Sequence, residues 1–153
     1  MSQRKYKLPE ELEAESVTMD VFLKTLSHQE LKQEFSAGAI YAMVGGTHAH
    51  NRLAFELGYH FRDKLKNTAC RPTMSDQLVV DKDRSQFAYY PDLVIYCGKP
   101  QFYGSNQIAL TNPKVIAEVL SPSTEHIDKG TKLFHYQTIS SLDDYLILSA
   151  NEE

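Results

Sequence analysis

One segment, residues 114–124, constrains the fold of this chain more than any other. Its sequence, KVIAEVLSPST, is typical of a buried strand that leads into a helix cap, yet Glu118 lies in the middle of the apolar run. Because side chains alternate along a strand, Glu118 shares one face with Ile116 and Leu120. An unpaired buried carboxylate costs several kcal/mol, so the fold must supply a proton, a cationic partner or a metal. The alternative is a register that turns Glu118 toward solvent.

Length and composition are those of an ordinary globular domain. The chain has 153 residues, of which 42% are hydrophobic and 24% charged, which is enough for a core of its own. The formal net charge of −4 argues against broad attraction to nucleic acid or anionic membranes, although it leaves room for a local basic groove. We predict a flexible N-terminal arm over residues 1–15 and a single domain over residues 16–153.

The cysteines and the apolar runs bear on the compartment. Cys70 and Cys97 are too few for a zinc motif and are typical of two thiols in a reducing cytosol. No apolar run approaches the roughly 18 residues that span a bilayer. The N-terminus also lacks the apolar core of a signal peptide. We therefore expect a cytoplasmic protein without a membrane partner.

Apolar periodicity predicts helices and strands in a mixed order. Thr18 and Thr47 are predicted to cap helices, and Gly58 inside the second helix predicts that another backbone passes close by. A further helix is predicted from residue 124 to about Ile139. Its inward face is predicted to carry Ile127, Leu133 and Phe134. The predicted strands are two within residues 31–46, a hairpin within 70–90, and the segments 91–98, 114–120 and 144–150. This order predicts an α/β or α+β fold around one central sheet.

Two carboxylates are candidates for a metal site. Asp92 stands at the entry of the apolar strand PDLVIYCG, and Glu118 lies within the strand at residues 114–120. If these strands are neighbours in the sheet, both carboxylates can converge on one place. Convergent carboxylates suit a hard cation such as Mg²⁺, which takes oxygen ligands and keeps waters that a substrate phosphate can replace.

The same segments carry a resemblance to a known family. The runs THAHNRLAFELG, YYPDLVIYCG and KVIAEVLSPSTEHIDKGTKLFHY resemble the Uma-two family of predicted endonucleases, which belongs to the PD-(D/E)XK, or restriction-endonuclease-like, superfamily. The resemblance extends from about Glu34 to Leu148. It implies an αβββαβ core with a mixed central sheet flanked by helices, plus an extra N-terminal helix and short strands. It also implies Mg²⁺- or Mn²⁺-dependent hydrolysis of phosphodiester bonds in DNA.

The resemblance also implies roles for particular residues. Asp92 and Glu118 would bind the metal, which polarises a phosphate oxygen and lowers the pKa of a bound water, while a lysine orients the nucleophile. That lysine normally stands two residues after the acid of the third strand, where this chain has Leu120. We predict that Lys132 from the following helix replaces it, with Lys129 as the second choice.

Further candidates follow from the same pattern. Glu34 and Asp76 match acidic positions of the family, and His50 falls on the inward stripe of its helix. Many relatives carry acids where this chain has Ala37 and Ala39, so the early strands would contribute less to metal binding here.

Each candidate also has a structural interpretation. Lys132 can form an ordinary surface pair with Asp128 four residues earlier. His50 can be a hydrogen-bonded core histidine, and Tyr136 is interpreted as a packing residue.

These interpretations leave three functions open. The first is a metal-dependent nuclease, expected to act on DNA and possible as a homodimer because duplex DNA has two strands. The second is a catalytically impaired nuclease fold that binds nucleic acid or regulates a partner, which Leu120 and the two alanines favour. The third is a structural subunit in which Glu118 pairs with Lys132 without metal.

Overall fold

A computed structural model describes residues 16–28, 31–105 and 107–150 of the chain. The predicted arm over residues 1–15 lies outside the described residues. The helical segments are α1 (Met19–Thr25), a 3₁₀ turn (Leu26–His28), α2 (His48–Leu65), α3 (Glu125–Ile127), a π-helical turn (Asp128–Lys132) and α4 (Leu133–Tyr136). The strands are β1 (Gln33–Ser36), β2 (Ala39–Ala42), β3 (Cys70–Met74), β4 (Leu78–Val80), β5 (Phe87–Tyr89), β6 (Leu93–Cys97), β7 (Ala109–Leu110), β8 (Val115–Leu120) and β9 (Asp144–Ser149). None of the helices in these ranges has the length and apolar character needed to cross a bilayer.

The described strands form two sheets. One has the order β2-β1-β5-β4-β7, and the other has the order β3-β6-β8-β9. In the second sheet β3, β6 and β8 are antiparallel, whereas β8 and β9 are parallel. The succession α2, β3, β6, β8, helical segment, β9 is the predicted αβββαβ core, which is confirmed. The single central sheet of the prediction was wrong, because β5, inserted with β4 between β3 and β6, pairs with β1 of the N-terminal hairpin, and β4 pairs with β5 in that separate sheet.

Helix α2 and the segment α3–α4 lie on opposite faces of the second sheet. Leu57 and Phe61 of α2 pack against Leu93 and Ala117 of the sheet. On the other face, Tyr136 of α4 belongs to a buried cluster that includes Val94 and Ile116. The alternation of strand side chains thus sends successive residues of β8 to different helices.

Both predicted helix caps are present. The Thr18 side chain accepts a hydrogen bond from the Val21 backbone N–H, and the Thr47 side chain accepts one from the His50 N–H. Each bond satisfies a donor that the first turn of a helix leaves free. The second cap matters for the site, because it determines where α2 begins and hence where His50 stands.

The helical segment after β8 differs from the prediction. It contains a π-helical turn and ends at Tyr136, not at Ile139. Two of the residues predicted to face inward, Ile127 and Phe134, are 38% and 66% exposed. The buried residues are Asp128, Lys132 and Tyr136. The prediction was wrong because it assumed an apolar inward face, whereas this helix turns a polar stripe toward the sheet.

The two cysteines are joined in a disulfide, so the prediction of two free thiols was wrong. Cys70 of β3 pairs directly with Cys97 of β6 in the antiparallel ladder, and their sulfur atoms are bonded. The residues are 27 positions apart in sequence. Sequence spacing therefore did not indicate the pairing, which depends on the register of two strands separated by β4 and β5.

Substitution of Gly58 tests the packing of α2 on β3. A Cβ atom at Gly58 would overlap the Met74 side chain, so the close neighbour is a side chain and not the predicted backbone. Gly58→Ala should lower the free energy of unfolding by about 1 kcal/mol. In a Met74→Ala background the same change should raise it by about 1 kcal/mol, because only the better helix propensity of alanine remains. Urea unfolding of the four proteins measures both effects, and equal effects in the two backgrounds would contradict this packing.

Candidate active site

The two predicted metal ligands lie on neighbouring strands. Leu93 of β6 pairs with Ala117 of β8, which brings Asp92, just before β6, beside Glu118. The Asp92 backbone N–H donates to Glu118 Oε2 at 3.3 Å, and the Val119 N–H donates to Asp92 Oδ2 at 2.7 Å. Glu118 is only 4% exposed, so the register that would turn it toward solvent is excluded.

Lys132 supplies the positive partner that the buried carboxylate requires. Its Nζ atom lies 3.1 Å from Glu118 Oε1, 3.3 Å from Glu34 Oε1 and 3.7 Å from Asp128 Oδ1. Lys132 itself is 6% exposed. The pair formed by Asp128 and Lys132 is therefore buried, and its interpretation as a surface pair was wrong. The π-helical turn that ends at Lys132 carries both residues on the face toward β8.

The charges of this cluster shift the protonation of its members. Burial raises the pKa of Glu118 to about 8; Lys132 opposes the shift, and Asp92 and Asp128 add to it. Burial by itself lowers the pKa of Lys132, but Glu118, Glu34 and Asp128 outweigh it and raise that pKa overall. One ammonium therefore faces more carboxylates than it can neutralise. A proton or a second cation at this place would be favourable.

Tyr136 also contacts the buried carboxylate. Its hydroxyl group donates to Glu118 Oε1 at 3.1 Å. Burial, Glu118 and Glu34 raise the pKa of Tyr136 well above its ordinary value, so the phenol remains a donor at neutral pH. Sequence reasoning assigned Tyr136 to packing alone. The available signal was spacing, since Asp128, Lys132 and Tyr136 recur every four residues and so share one helix face.

Glu34 and His50 bring two further elements to the site. Glu34 Oε1 accepts a hydrogen bond from the Tyr90 N–H at 2.8 Å, so β1 of the first sheet contributes a carboxylate. His50 Nε2 of α2 lies 3.1 Å from Asp92 Oδ2. The site thus lies where the first sheet, the second sheet and α2 meet.

The structure does not bring Asp76 and Lys129 into this cluster. Asp76 has an 89% exposed side chain and pairs with Lys32 at 2.9 Å. Lys129 pairs with Glu125 at 2.6 Å on the exposed side of its helix. Of the two lysines predicted as the catalytic amine, only Lys132 points toward Glu118.

Two carboxylates, Asp92 and Glu118, are the groups that would be available to a magnesium ion. Within the described parts of the chain, no group of three or more His, Cys, Asp or Glu residues is arranged to hold a metal ion. Mg²⁺ does not require such a cage, since it is usually bound by one or two carboxylates together with waters and substrate phosphates. Asp92 and Glu118 would therefore be the residues that hold it.

The αβββαβ core and the cluster of carboxylates around one lysine define a protein of the restriction-endonuclease-like class. Residues 19–153 match the model of the Uma2 family, whose description is "Putative restriction endonuclease". The chain belongs to this family.

Relatives and a solved structure are consistent with this assignment. The chain is 36% identical over 118 residues to "Uncharacterized protein sll1609" and 35% identical over 129 residues to "Uncharacterized protein slr1290", both of Synechocystis sp.. These matches cover 76% and 84% of this chain but 66% of each relative. The fold is similar to a crystal structure of "a putative nuclease belonging to DUF820" from Anabaena variabilis. That match has a TM-score of 0.66 and 19% identity, covering 84% of this chain and 74% of the other.

The pH dependence of stability tests the raised pKa of the buried Glu118 side chain. The ordinary pKa of the glutamate side chain is 4.5, and burial raises that of Glu118 to about 8. Between these two pH values, the folded state keeps a proton that the unfolded state has lost. The wild type should therefore lose stability as pH rises between these values, whereas Glu118→Gln does not titrate. The quantity to compare is the difference in unfolding free energy, variant minus wild type. This difference should rise by about 2 kcal/mol or more between the two pH values. Urea unfolding with a chelator present measures the difference.

Glu125→Gln is the matched control for this experiment. Glu125 forms an exposed pair with Lys129, so its loss should change stability by less than about 1 kcal/mol. A difference between Glu118→Gln and the wild type that stays flat from about pH 5 to about pH 8 would contradict a buried, titrating Glu118.

Proposed function

We propose that this protein is an Mg²⁺-dependent endonuclease that hydrolyses phosphodiester bonds of DNA. The observation that carries the proposal is the buried Lys132 amine, 3.1 Å from Glu118 on the strand beside Asp92. A purely structural role would not require a buried pair of Lys132 and Glu118, because well-packed apolar residues would usually give a fold of equal stability. Membership of the Uma2 family supports the proposal.

Each residue of the cluster has a part in this reaction. Asp92 and Glu118 would hold Mg²⁺, which when bound polarises a phosphate oxygen and makes a coordinated water more acidic. The Lys132 amine would orient the attacking water and offset the negative charge that develops in the transition state. His50, 3.1 Å from Asp92 Oδ2, would keep that carboxylate in place. Mn²⁺ prefers similar oxygen ligands and should substitute for Mg²⁺.

The position of the lysine is compatible with this role. A lysine two residues after the acid would project from the end of β8, where Leu120 is 8% exposed. Lys132 reaches the same carboxylate from the helix that follows. Since catalysis depends on where the amine lies and not on its place in sequence, the change of element does not by itself remove the activity. Two copies of the chain would cut both strands of a duplex.

A second function is a nuclease fold that binds nucleic acid without cutting it. The observation that favours it is that both oxygens of Glu118 already accept hydrogen bonds from the protein. Oε1 accepts from Lys132 and Tyr136, and Oε2 accepts from the Asp92 N–H. Such a cluster is stable without a metal. The two functions differ in whether a divalent cation can compete with these hydrogen bonds.

Cleavage of supercoiled plasmid DNA tests the nuclease. The wild type should nick the plasmid in Mg²⁺ or Mn²⁺ and be inactive in a chelator, because the carboxylates alone cannot offset phosphate charge. Asp92→Ala and Glu118→Ala should abolish cleavage, and Lys132→Met should slow it by about 10²-fold to 10³-fold. Single-turnover rates from gels give the values, and circular dichroism establishes that each variant is folded.

Lys129→Met is the matched control, since it removes a lysine from the same helical segment. Its rate should stay within about twofold of the wild type, because Lys129 forms only an exposed pair. If Lys132→Met fails to fold, Lys132→Arg keeps the charge but should still lower the rate, because a guanidinium does not replace an amine at this distance. Wild-type cleavage by Glu118→Ala would contradict the assignment. Binding of Mn²⁺ and DNA with no product would favour the second function.

A further inference from the structure

The hydroxyl group of Tyr136 has a role that packing does not explain. Tyr136 is fully buried in an apolar cluster that includes Phe87 and Ile116. A phenylalanine would fill this volume equally well, whereas a hydroxyl group among apolar side chains is costly unless it is hydrogen-bonded. The partner of the hydroxyl is Glu118 Oε1, at 3.1 Å. The polar atom of Tyr136 thus serves one oxygen of one carboxylate.

The two oxygens of Glu118 have different surroundings. Oε1 accepts hydrogen bonds from both Lys132 Nζ and the Tyr136 hydroxyl, each at 3.1 Å. Oε2 accepts from the Asp92 backbone N–H at 3.3 Å, which is longer than an ordinary N–H···O bond. The carboxylate is therefore held by Oε1 from the helix side, and Oε2 faces Asp92 with a weaker contact.

Tyr136 is better suited than Lys132 to fix this orientation. Its ring packs edge-on against Phe87 and Tyr89, with centroids 5.8 Å apart in both cases, and lies 5.1 Å from Tyr145. A ring enclosed in this way has little freedom, so its hydroxyl group stays in place. The Lys132 amine, in contrast, ends a flexible side chain and is shared among three carboxylates.

We propose that Tyr136 is a positioning residue that orients the Glu118 carboxylate for a divalent cation. It holds Oε1 toward the helix, so that Oε2 is presented together with Asp92 on the other side. The inference rests on the proposed function, because it concerns the same cation site. It goes further in assigning the Glu118 oxygen that binds the cation and the residue that selects it.

Titration calorimetry with Mn²⁺ tests this role without requiring cleavage. The proteins are the wild type, Tyr136→Phe, Glu118→Ala and the control Tyr96→Phe, whose ring packs against the same apolar cluster. Tyr136→Phe should weaken Mn²⁺ binding about tenfold or more, as is typical when a hydrogen bond to a metal ligand is lost. Tyr96→Phe should bind Mn²⁺ as the wild type does. Melting curves should show that Tyr136→Phe is folded, since its ring packing is kept.

Plasmid cleavage gives a second readout that a general loss of stability would not produce. Tyr136→Phe should be impaired at low Mn²⁺ concentration and should recover toward the wild-type rate at high concentration. Its affinity for DNA in a chelator should be unchanged.

The outcomes separate this inference from the proposed function. If the wild type binds Mn²⁺, Glu118→Ala does not, and Tyr136→Phe binds more weakly, the inference is supported. If Tyr136→Phe binds Mn²⁺ as tightly as the wild type while Glu118→Ala loses binding, the inference is overturned and the metal site stands. If the wild type itself binds no Mn²⁺, both are overturned.

Discussion

The burial of Glu118 within a sheet is the constraint on which the arrangement of the site depends. A carboxylate that is 4% exposed needs cationic or hydrogen-bonding partners, and Glu118 has three such partners from two directions. Lys132 and Tyr136 approach from the helical segment, and the Asp92 backbone N–H comes from the neighbouring strand. The carboxylate thus ties β6, β8 and the helical segment together. Removing Lys132 would leave Glu118 buried without its cationic partner.

Much of the core architecture could be predicted from local patterns. The apolar runs around Asp92 and Glu118 indicated two strands, and antiparallel pairing of β6 with β8 then places the two residues side by side. Thr18 and Thr47 marked helix starts because a side-chain oxygen that caps a helix acts within three residues. These features depend on residues close in sequence, or on one pairing between strands that follow each other in the core.

The features that escaped prediction depend on contacts between distant segments. The face of the helical segment was assigned from its apolar residues, but its environment is a carboxylate and not an apolar core, so Lys132 and Tyr136 face inward and Phe134 outward. The separate first sheet depends on β1 pairing with β5, which places Phe35 opposite Ala88 although the two are far apart in the chain. The disulfide between Cys70 and Cys97 depends on the register of β3 against β6. Neither pairing leaves a local signal in the sequence.

The excess of carboxylates over ammonium groups at the site would affect how the proposed nuclease binds a phosphate group of its substrate. Glu34, Glu118 and Asp128 surround the Lys132 amine, so the site by itself would repel a phosphate group. The net charge of −4 gives no long-range attraction that would offset this repulsion. A divalent cation held by Asp92 and Glu118 would reverse the balance locally. In the proposed nuclease, cation binding would precede productive contact with DNA, and the hydrogen bonds that orient Glu118 would influence both steps.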